Sequence, residues 1–185
     1  MKKYLQWGII ICVLIASCFA YAHVNKMHCL FDEDIDPGYY TVINMEENVF
    51  CEQNFQCEEK KIDGVNIKLV TSGTELNKVV LNYEICDESG RTIRSDKISG
   101  SQLKSNKYNK LKFDTIEDAR GKSFKIRIWT EKVDANNIIN LYQAEDNLVM
   151  KYYSFRFDME TFAIACSFCL YIFFFMKLLF KLFRE

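Results

Sequence analysis

Proline and histidine are scarce in this sequence. Pro37 is the single proline, and His23 and His28 are the two histidines in 185 residues. A chain that is 49% hydrophobic and 15% aromatic can form a core, which excludes extended intrinsic disorder. Both histidines lie beside the first apolar segment, so a Ser-His-Asp or Cys-His arrangement would have to form at that junction. We therefore expect two solvated histidines and no catalytic residues.

The sequence also has no excess of positive charge outside its ends. The chain holds 24 basic and 25 acidic residues. The ends carry Lys2, Lys3, Lys177, Lys181 and Arg184 against Glu185, which leaves 19 basic and 24 acidic residues, a net charge of −5, for the middle. Such a middle does not attract nucleic acid, so we expect no nucleic-acid partner.

Residues 1–22 are predicted to be a signal anchor or a signal peptide. Residues 5–22 contain no charge and nearly span a bilayer, which fits an uncleaved anchor. Ala20-Tyr21-Ala22 also fits a cleavage site for a signal peptidase. Thirdly, Ile15-Ala16-Ser17-Cys18 resembles a bacterial lipobox, in which Cys18 would be lipidated. All three alternatives carry the following chain across the membrane.

Residues 161–183 are predicted to form a C-terminal transmembrane helix with a basic cytoplasmic end. Residues 161–176 contain no charge, and Lys177 and Lys181 share one helical face from which they can reach the headgroups. A surface helix of a small domain would show a polar stripe instead. Basic residues at both ends place both termini in the cytoplasm of a bacterial cell and the middle domain outside.

The middle of the chain is predicted to be all-β. We assign 23–38 as an acidic juxtamembrane segment and 39–157 as an extracytoplasmic β-sandwich. Short alternating segments separated by turn residues, without a helical pattern between them, are typical of antiparallel sandwiches. The predicted strands are 39–44, 49–57, 65–71, 79–86, 91–98, 107–114, 123–130, 137–143 and 148–157.

Several of these strands resemble a known family. The residues are Cys51 to Phe55, Ile62 to Thr71, Val80 to Ile93, Tyr108 to Phe113 and Ile116 to Ile128. They resemble the extracytoplasmic jelly-roll domain of bacterial membrane proteins of cell-surface polysaccharide assembly, often attached to multi-pass glycosyltransferases. The resemblance implies a jelly-roll sandwich, which in this chain is flanked by the two predicted transmembrane helices. The multi-pass part is missing, so transferase activity is not implied.

Two groups of residues have side chains suited to metal or disulfide chemistry. Asp32, Asp34 and Asp36 are weak calcium candidates, because calcium prefers several carboxylate oxygens. No EF-hand spacing follows them, so we predict a solvated acidic loop, no metal and no cofactor. Cys29, Cys51, Cys57 and Cys86 lie outside the apolar ends. Their disulfide pairing stays open, except that Cys51 and Cys57 would be roughly 20 Å apart in one straight strand.

Trp129 is the aromatic residue whose side chain is predicted to point away from the core in a strand with clear alternation. Phe124, Ile126 and Ile128 alternate with Lys125, Arg127 and Trp129. An exposed tryptophan can stack on a sugar ring while neighbouring charged groups bind hydroxyls, so these three outward residues are glycan-contact candidates. A tryptophan covered by a loop, the other sheet or the membrane is the alternative.

The predicted function is non-enzymatic. We expect a membrane-tethered β-sandwich that assists cell-surface glycan assembly, either by binding glycan or by positioning a partner such as a membrane glycosyltransferase. A protein-interaction subunit of a multi-pass membrane enzyme complex is the alternative. A glycan-active enzyme is the third.

Overall fold

A computed structural model describes residues 2–134 and 136–183, with the side chains of the helix at the start described beyond residue 7. Helices α1 (Lys2–Tyr21) and α2 (Met159–Leu182) flank a β-rich middle. The strands among the described residues are β1 His23–Cys29, β2 Thr41–Asn44, β3 Cys51–Gln56, β4 Ile62–Ser72, β5 Val80–Cys86, β6 Thr92–Ser99, β7 Lys107–Ile116, β8 Ser123–Glu131, β9 Ile138–Ala144, β10 Asn147–Leu148 and β11 Met150–Phe157.

The chain divides into two compact units. One contains the two helices, and the other contains residues Met27–Ser154. In the second unit the predicted strands are present with shifts of one to a few residues at their ends. The predicted strand 148–157 is divided into β10 and β11. One further strand, β1, was not predicted and lies in the segment 23–38, assigned from the sequence as juxtamembrane. Its sequence has no alternation of apolar and polar residues, so periodicity could not reveal it.

The described strands form two mostly antiparallel sheets. The seven-stranded sheet has the order β1-β11-β4-β9-β10, with β2 paired to β9 and β7 paired to β4. The four-stranded sheet has the order β3-β8-β5-β6. Apart from the consecutive pairs β9–β10 and β5–β6, neighbours in these orders are far apart in sequence, which means that the strands cross repeatedly from one sheet to the other.

The two sheets share one hydrophobic core, which makes the fold β-sandwich-like. Ile67 and Leu141 from the seven-stranded sheet belong to the same buried cluster as Ile85, Ile126 and Ile128 from the four-stranded sheet. All five are fully buried. Burial of such a side chain contributes about 1.5–3 kcal/mol, so the alternating inner positions account for the pairing of the sheets.

Helix α2 is long and apolar enough to span a membrane, and it alone is so among the described residues. Asp158 begins it as the N-cap, where the carboxylate accepts a hydrogen bond from the backbone N–H of Thr161 at 3.0 Å. No side chain of α2 is buried, although its surface is almost entirely apolar. An apolar helix without a protein cover has the composition of a lipid-facing segment.

The prediction of two transmembrane helices is not confirmed. The apolar stretch of α1 with described side chains, Gly8–Tyr21, is shorter than the ~20 residues that a spanning helix requires. The side chains of Lys2 and Lys3, and the whole of Arg184, lie outside the described residues. They carried much of the argument for cytoplasmic termini, so the orientation stays a prediction.

Cys18 lies where α1 and α2 pack against each other. Its Sγ is 3.8 Å from the Sγ of Cys169, and the side chain is buried. The same two helices enclose an apolar groove of about 390 Å³ that ends at Cys166 and Cys169. Cleavage after Ala22 would remove α1 and this contact, whereas lipidation of Cys18 would remove the residues before Cys18 and convert its thiol to a thioether.

Oxidation tests whether α1 is retained. Copper phenanthroline added to membranes containing the full chain should join Cys18 and Cys169 in a disulfide; each thiol loses one hydrogen, and Cu(II) accepts the two electrons. The reason is the 3.8 Å contact between the sulfurs. Mass spectrometry after alkylation should detect the linked peptides. Cys12→Ser, a change at an exposed position of the same helix, should leave the product intact, while Cys169→Ser should abolish it. Absence of the linked peptides from the wild-type chain would contradict the packing of α1 on α2.

Candidate functional site

The structure places Lys125, Arg127 and Trp129 together on the outer face of the four-stranded sheet. In β8 the inward residues Phe124 and Ile128 are buried, and the three outward side chains are half-buried. The strand lies between β3 and β5, so its outward residues have neighbours on both sides. This central position in the sheet explains why none of the three is fully exposed.

Arg127 is held between two glutamates. Its Nε donates to Glu52 at 2.5 Å and its Nη1 donates to Glu84 at 3.1 Å, from the strands on either side. Lys125 donates to Glu52 at 3.1 Å. These four residues form what we call the charged ladder. Lys125 and then Arg127 lower the pKa of the Glu52 carboxyl, and Glu84 and Glu52 raise the pKa of Arg127.

Trp129 lies next to the charged ladder and packs against Phe50. The ring centroids are 5.0 Å apart and the planes are tilted by 56°. Phe50 itself is 55% exposed, so the pair, which we call the aromatic platform, keeps an apolar surface in contact with solvent. On the other side Trp129 is paired in register with Asn82, whose side chain donates to Glu131 at 3.1 Å.

This arrangement places an apolar surface beside hydrogen-bonding groups. The aromatic platform offers an apolar face against which a flat or ring-shaped ligand can stack. Carboxylates, a guanidinium and an amide beside it can donate and accept hydrogen bonds. Lys125 and Arg127 are not free cations, because Glu52 and Glu84 neutralise them. The face therefore carries no unpaired positive charge from these two residues.

The acidic loop does not resemble a calcium site. Asp32 accepts a hydrogen bond from the backbone N–H of Asp34 at 2.9 Å, and Asp36 accepts one from Gly38 at 2.7 Å. These carboxylates cap local turns. Within the described part of the chain, no group of three or more His, Cys, Asp or Glu side chains could hold a metal ion.

All eight cysteines are free thiols in the structure. Cys57 and Cys86 are buried, and burial raises the pKa of both thiols. Cys57 donates to the backbone carbonyl of Glu59 at 3.2 Å. Cys29 and Cys51 are half-buried, and burial is also the main cause that raises their pKa. These environments favour the neutral thiol, so they are unlike those of nucleophilic cysteines.

His28 is packed rather than solvated, contrary to our expectation. Its ring stacks on Tyr152 at 4.8 Å, and its nitrogens lie 3.3 Å from Glu58 and 3.0 Å from Glu59. These partners are distant in sequence, so no local pattern could have revealed the cluster. His28 contacts carboxylates, whereas the nearby Cys57 thiol is bonded to a carbonyl. The described contacts therefore do not form a Cys-His pair.

Comparison with known proteins gives no close relative. No family model and no curated protein matches the chain. The T=1 particle of infectious bursal virus is similar at 13% identity and a TM-score of 0.35, covering 71% of this chain and 31% of that one. The Cry4Aa toxin from Bacillus thuringiensis is 10% identical with a TM-score of 0.38, covering 74% and 24%. The Gap123 glycosylation-associate protein complex of Streptococcus agalactiae is 7% identical with a TM-score of 0.32, covering 69% and 44%. Likeness at this level carries no inference.

The charged ladder should make the stability of the protein depend on pH in the acidic range. The pKa of Glu52 lies below its ordinary value of 4.5 in the folded chain, so the unfolded chain takes up the proton first. The ladder therefore stabilises the fold above pH 4.5, and this contribution disappears as the pH falls through the lower, folded pKa. Glu52→Gln should cost on the order of 0.5 kcal/mol at pH 6, a small value because Glu52 is partly exposed, and less at pH 3. Urea unfolding of the full chain in detergent, followed by tryptophan fluorescence, measures the unfolding free energy at both pH values.

Glu75→Gln is the matched control for this measurement. Glu75 pairs with Lys78 in an exposed turn, where both side chains are more than half exposed. The control should change the unfolding free energy less than Glu52→Gln does at pH 6. Equal effects of the two substitutions on the unfolding free energy would contradict the role given to the charged ladder. A difference between them that is larger at pH 3 than at pH 6 would also contradict it.

Proposed function

We propose that this chain is a non-enzymatic, membrane-tethered β-sandwich protein that assists cell-surface glycan assembly in bacteria by binding glycan. The aromatic platform and the charged ladder are its contact surface. Both helices cross the membrane, both termini are cytoplasmic, and the sandwich is extracytoplasmic. A membrane glycosyltransferase is the partner that this role calls for.

The observation that carries the proposal is the pairing of Trp129 with Phe50 beside four hydrogen-bonding side chains. A tryptophan on an outer strand face is useful for stacking only if its surroundings fix its orientation, because ordering a mobile ring costs entropy. Here Phe50 packs against the indole in a tilted arrangement, at 5.0 Å between centroids. Arg127 is fixed by Glu52 and Glu84 in the adjacent row. The surface is thus arranged before any ligand arrives.

The strand order supports a jelly-roll type of sandwich. The path β2-β9-β4-β7 in one sheet faces β3-β8-β5-β6 in the other. In each path, strands from the first half of the sequence alternate with strands from the second half, as in eight-stranded jelly rolls built from two Greek keys. Lectin domains are among the proteins that use this fold, although a fold by itself does not establish function.

The helices support the membrane tether. Helix α2 has the length and composition of a spanning segment, with Lys177 and Lys181 near its end. Helix α1 is apolar and packs on α2 at the Cys18–Cys169 contact. Its apolar groove beside Cys166 also favours the second candidate function, a protein-interaction subunit of a multi-pass membrane enzyme complex. Cross-linking in native membranes that captures one transferase would favour that function; a solitary chain would argue against it.

Trp129→Ala should lower the affinity for a neutral glycan about tenfold or more, because it removes the stacking surface. The full chain in nanodiscs would be titrated with neutral polysaccharide fragments, dextran and a β-glucan among them. In a Trp7→Phe background Trp129 is the single tryptophan, so its emission reports contact directly.

Tyr39→Ala is the matched control, because Tyr39 is an aromatic residue that is 80% exposed and lies outside the four-stranded sheet. It should leave the affinity unchanged. Trp129→Phe should restore part of the binding and thereby separate stacking from misfolding. If no neutral glycan binds the wild-type chain, or if Tyr39→Ala and Trp129→Ala lose the same affinity, glycan binding by the aromatic platform is wrong.

A further inference from the structure

The outer face of the seven-stranded sheet carries a second surface, which differs in charge from the first. In β4 the residues Val65, Ile67 and Leu69 point into the core and are fully buried. Asn66 and Lys68 alternate with them and therefore lie on the outer face, half-buried. The neighbouring strands β7, β9 and β11 add lysines and tyrosines to the same face.

Three lysines of this face lie over aromatic rings. The Lys68 Nζ is 5.0 Å from the ring centroid of Tyr40 and 4.9 Å from that of Tyr142. The Lys110 Nζ is 4.1 Å from the centroid of Tyr153. Cation–π contacts of this length hold an ammonium in place without neutralising its charge.

The third lysine, Lys151, is paired differently. Its Nζ lies 5.6 Å from the ring of Tyr108 and also forms an ion pair with Glu33 at 2.7 Å. Lys68 and Lys110 have no ion pair with any carboxylate among the described residues. We call Lys68, Lys110 and the rings beneath them the lysine–tyrosine face.

The backbone register brings the two unpaired lysines near each other. Lys110 of β7 is opposite Asn66 of β4, and Lys68 of β4 is opposite Tyr108 of β7. Lys68 and Lys110 are therefore diagonal neighbours on the same face. Two ammonium groups on one face can contact successive anionic groups, or one anionic group and an adjacent hydroxyl, along an extended chain.

The charge of this face is opposite to that of the surrounding chain. The middle of the sequence has a net charge of −5, from 19 basic and 24 acidic residues. Lys112 is exposed on β7 next to Lys110 and adds a further positive charge to the face. Glu33 is neutralised by Lys151, and Asp114 lies further along β7. A local positive field on an acidic protein directs an anionic ligand to this place.

Tyr153 is fixed in the face by a glycine. Gly64 lies opposite Tyr153 in the register of β4 and β11 and has a φ of +155°. A Cβ at this position would overlap the Tyr153 ring. The glycine thus lets the ring lie across β4, where Lys110 covers it. The position of the Tyr153 ring beneath Lys110 is therefore determined by the sheet.

We propose that the lysine–tyrosine face binds an anionic glycan, whose phosphate or carboxylate groups are received by Lys68 and Lys110 while its sugar rings lie beside the half-buried rings of Tyr40 and Tyr142. The inference rests on the proposed function for the class of ligand, but it uses other residues on the other sheet. It adds the kind of glycan: a negatively charged polymer, in contrast to the neutral sugar that fits the charged ladder.

A glycan fits this face better than an anionic membrane surface does. Binding to a bilayer interface is strengthened by apolar side chains that insert between headgroups. The central outer positions of β4 and β7 carry Asn66 and lysines instead, and the rings are tyrosines whose hydroxyl groups can bond to sugar hydroxyls. Tyr40 and Tyr142 beside Lys68 are half-buried, whereas Tyr153 beneath Lys110 is buried.

The test uses the full chain in nanodiscs of zwitterionic phosphatidylcholine, titrated with three probes. These are polygalacturonate as a carboxylate polymer, poly(glycerol phosphate) as a phosphate polymer, and dextran as a neutral polymer. The double variant Lys68→Gln/Lys110→Gln should bind one or both anionic polymers about tenfold more weakly than the wild type and dextran equally. Wild-type binding should also weaken with added salt, because the contacts are partly exposed.

Two further variants keep the test decisive. Lys97→Gln/Lys132→Gln removes the same charge from exposed positions outside the seven-stranded sheet, and should leave the affinity unchanged. Lys68→Arg/Lys110→Arg keeps the charge and should retain most of the binding, which excludes loss by misfolding. Equal loss in the two Gln pairs, no binding of either anionic polymer, or a preference for phosphatidylglycerol vesicles over both polymers would overturn the proposal.

The outcome is independent of the test of the aromatic platform. Trp129→Ala should leave the binding of anionic polymers unchanged, and Lys68→Gln/Lys110→Gln should leave the binding of neutral glycan unchanged. If neutral glycan fails to bind while the anionic polymers bind through Lys68 and Lys110, the proposed function loses its first site and this one stands. The reverse result removes only the lysine–tyrosine face.

Discussion

The packing of the two sheets on one core is the constraint on which the other features depend. Ile67 and Leu141 on one sheet and Ile126 and Ile128 on the other belong to a single buried cluster. Because side chains alternate along a strand, burial of these residues sends their neighbours to the outer faces. A shift of register by one residue would move the outward residues into the core, so the core determines both surfaces.

The charged side chains on the two outer faces have different kinds of partner. On the four-stranded sheet Arg127 is neutralised by glutamates on both neighbouring strands. On the seven-stranded sheet Lys68 and Lys110 lie on tyrosine rings, which attract a cation but leave its charge in place. The first arrangement stabilises the protein and presents dipoles, and the second presents charge. One domain thus presents a neutralised outer face and a positively charged one.

His28, Tyr152 and Cys57 lie together at the edge of the core. Tyr152 stacks under His28 and accepts a hydrogen bond from the backbone N–H of Glu58, so the histidine helps to close the loop between β3 and β4. Burial raises the pKa of the Cys57 thiol beside it, which disfavours the reactive thiolate. Both residues are better understood as parts of a polar cluster at the edge of the core than as a nucleophile and its base.

The sequence by itself determined the strands with strong alternation, the apolar C-terminal helix and the outward direction of Trp129, because each of these follows from local periodicity. It also determined that Arg127 shares the face of Trp129. Only the tertiary structure decided what covers those side chains, since Phe50 and Glu52 come from another strand region at a register that periodicity does not specify. The same reason hid β1, the environment of His28 and the lysine–tyrosine face: each depends on residues that are distant in sequence and meet only when the strands cross between the sheets.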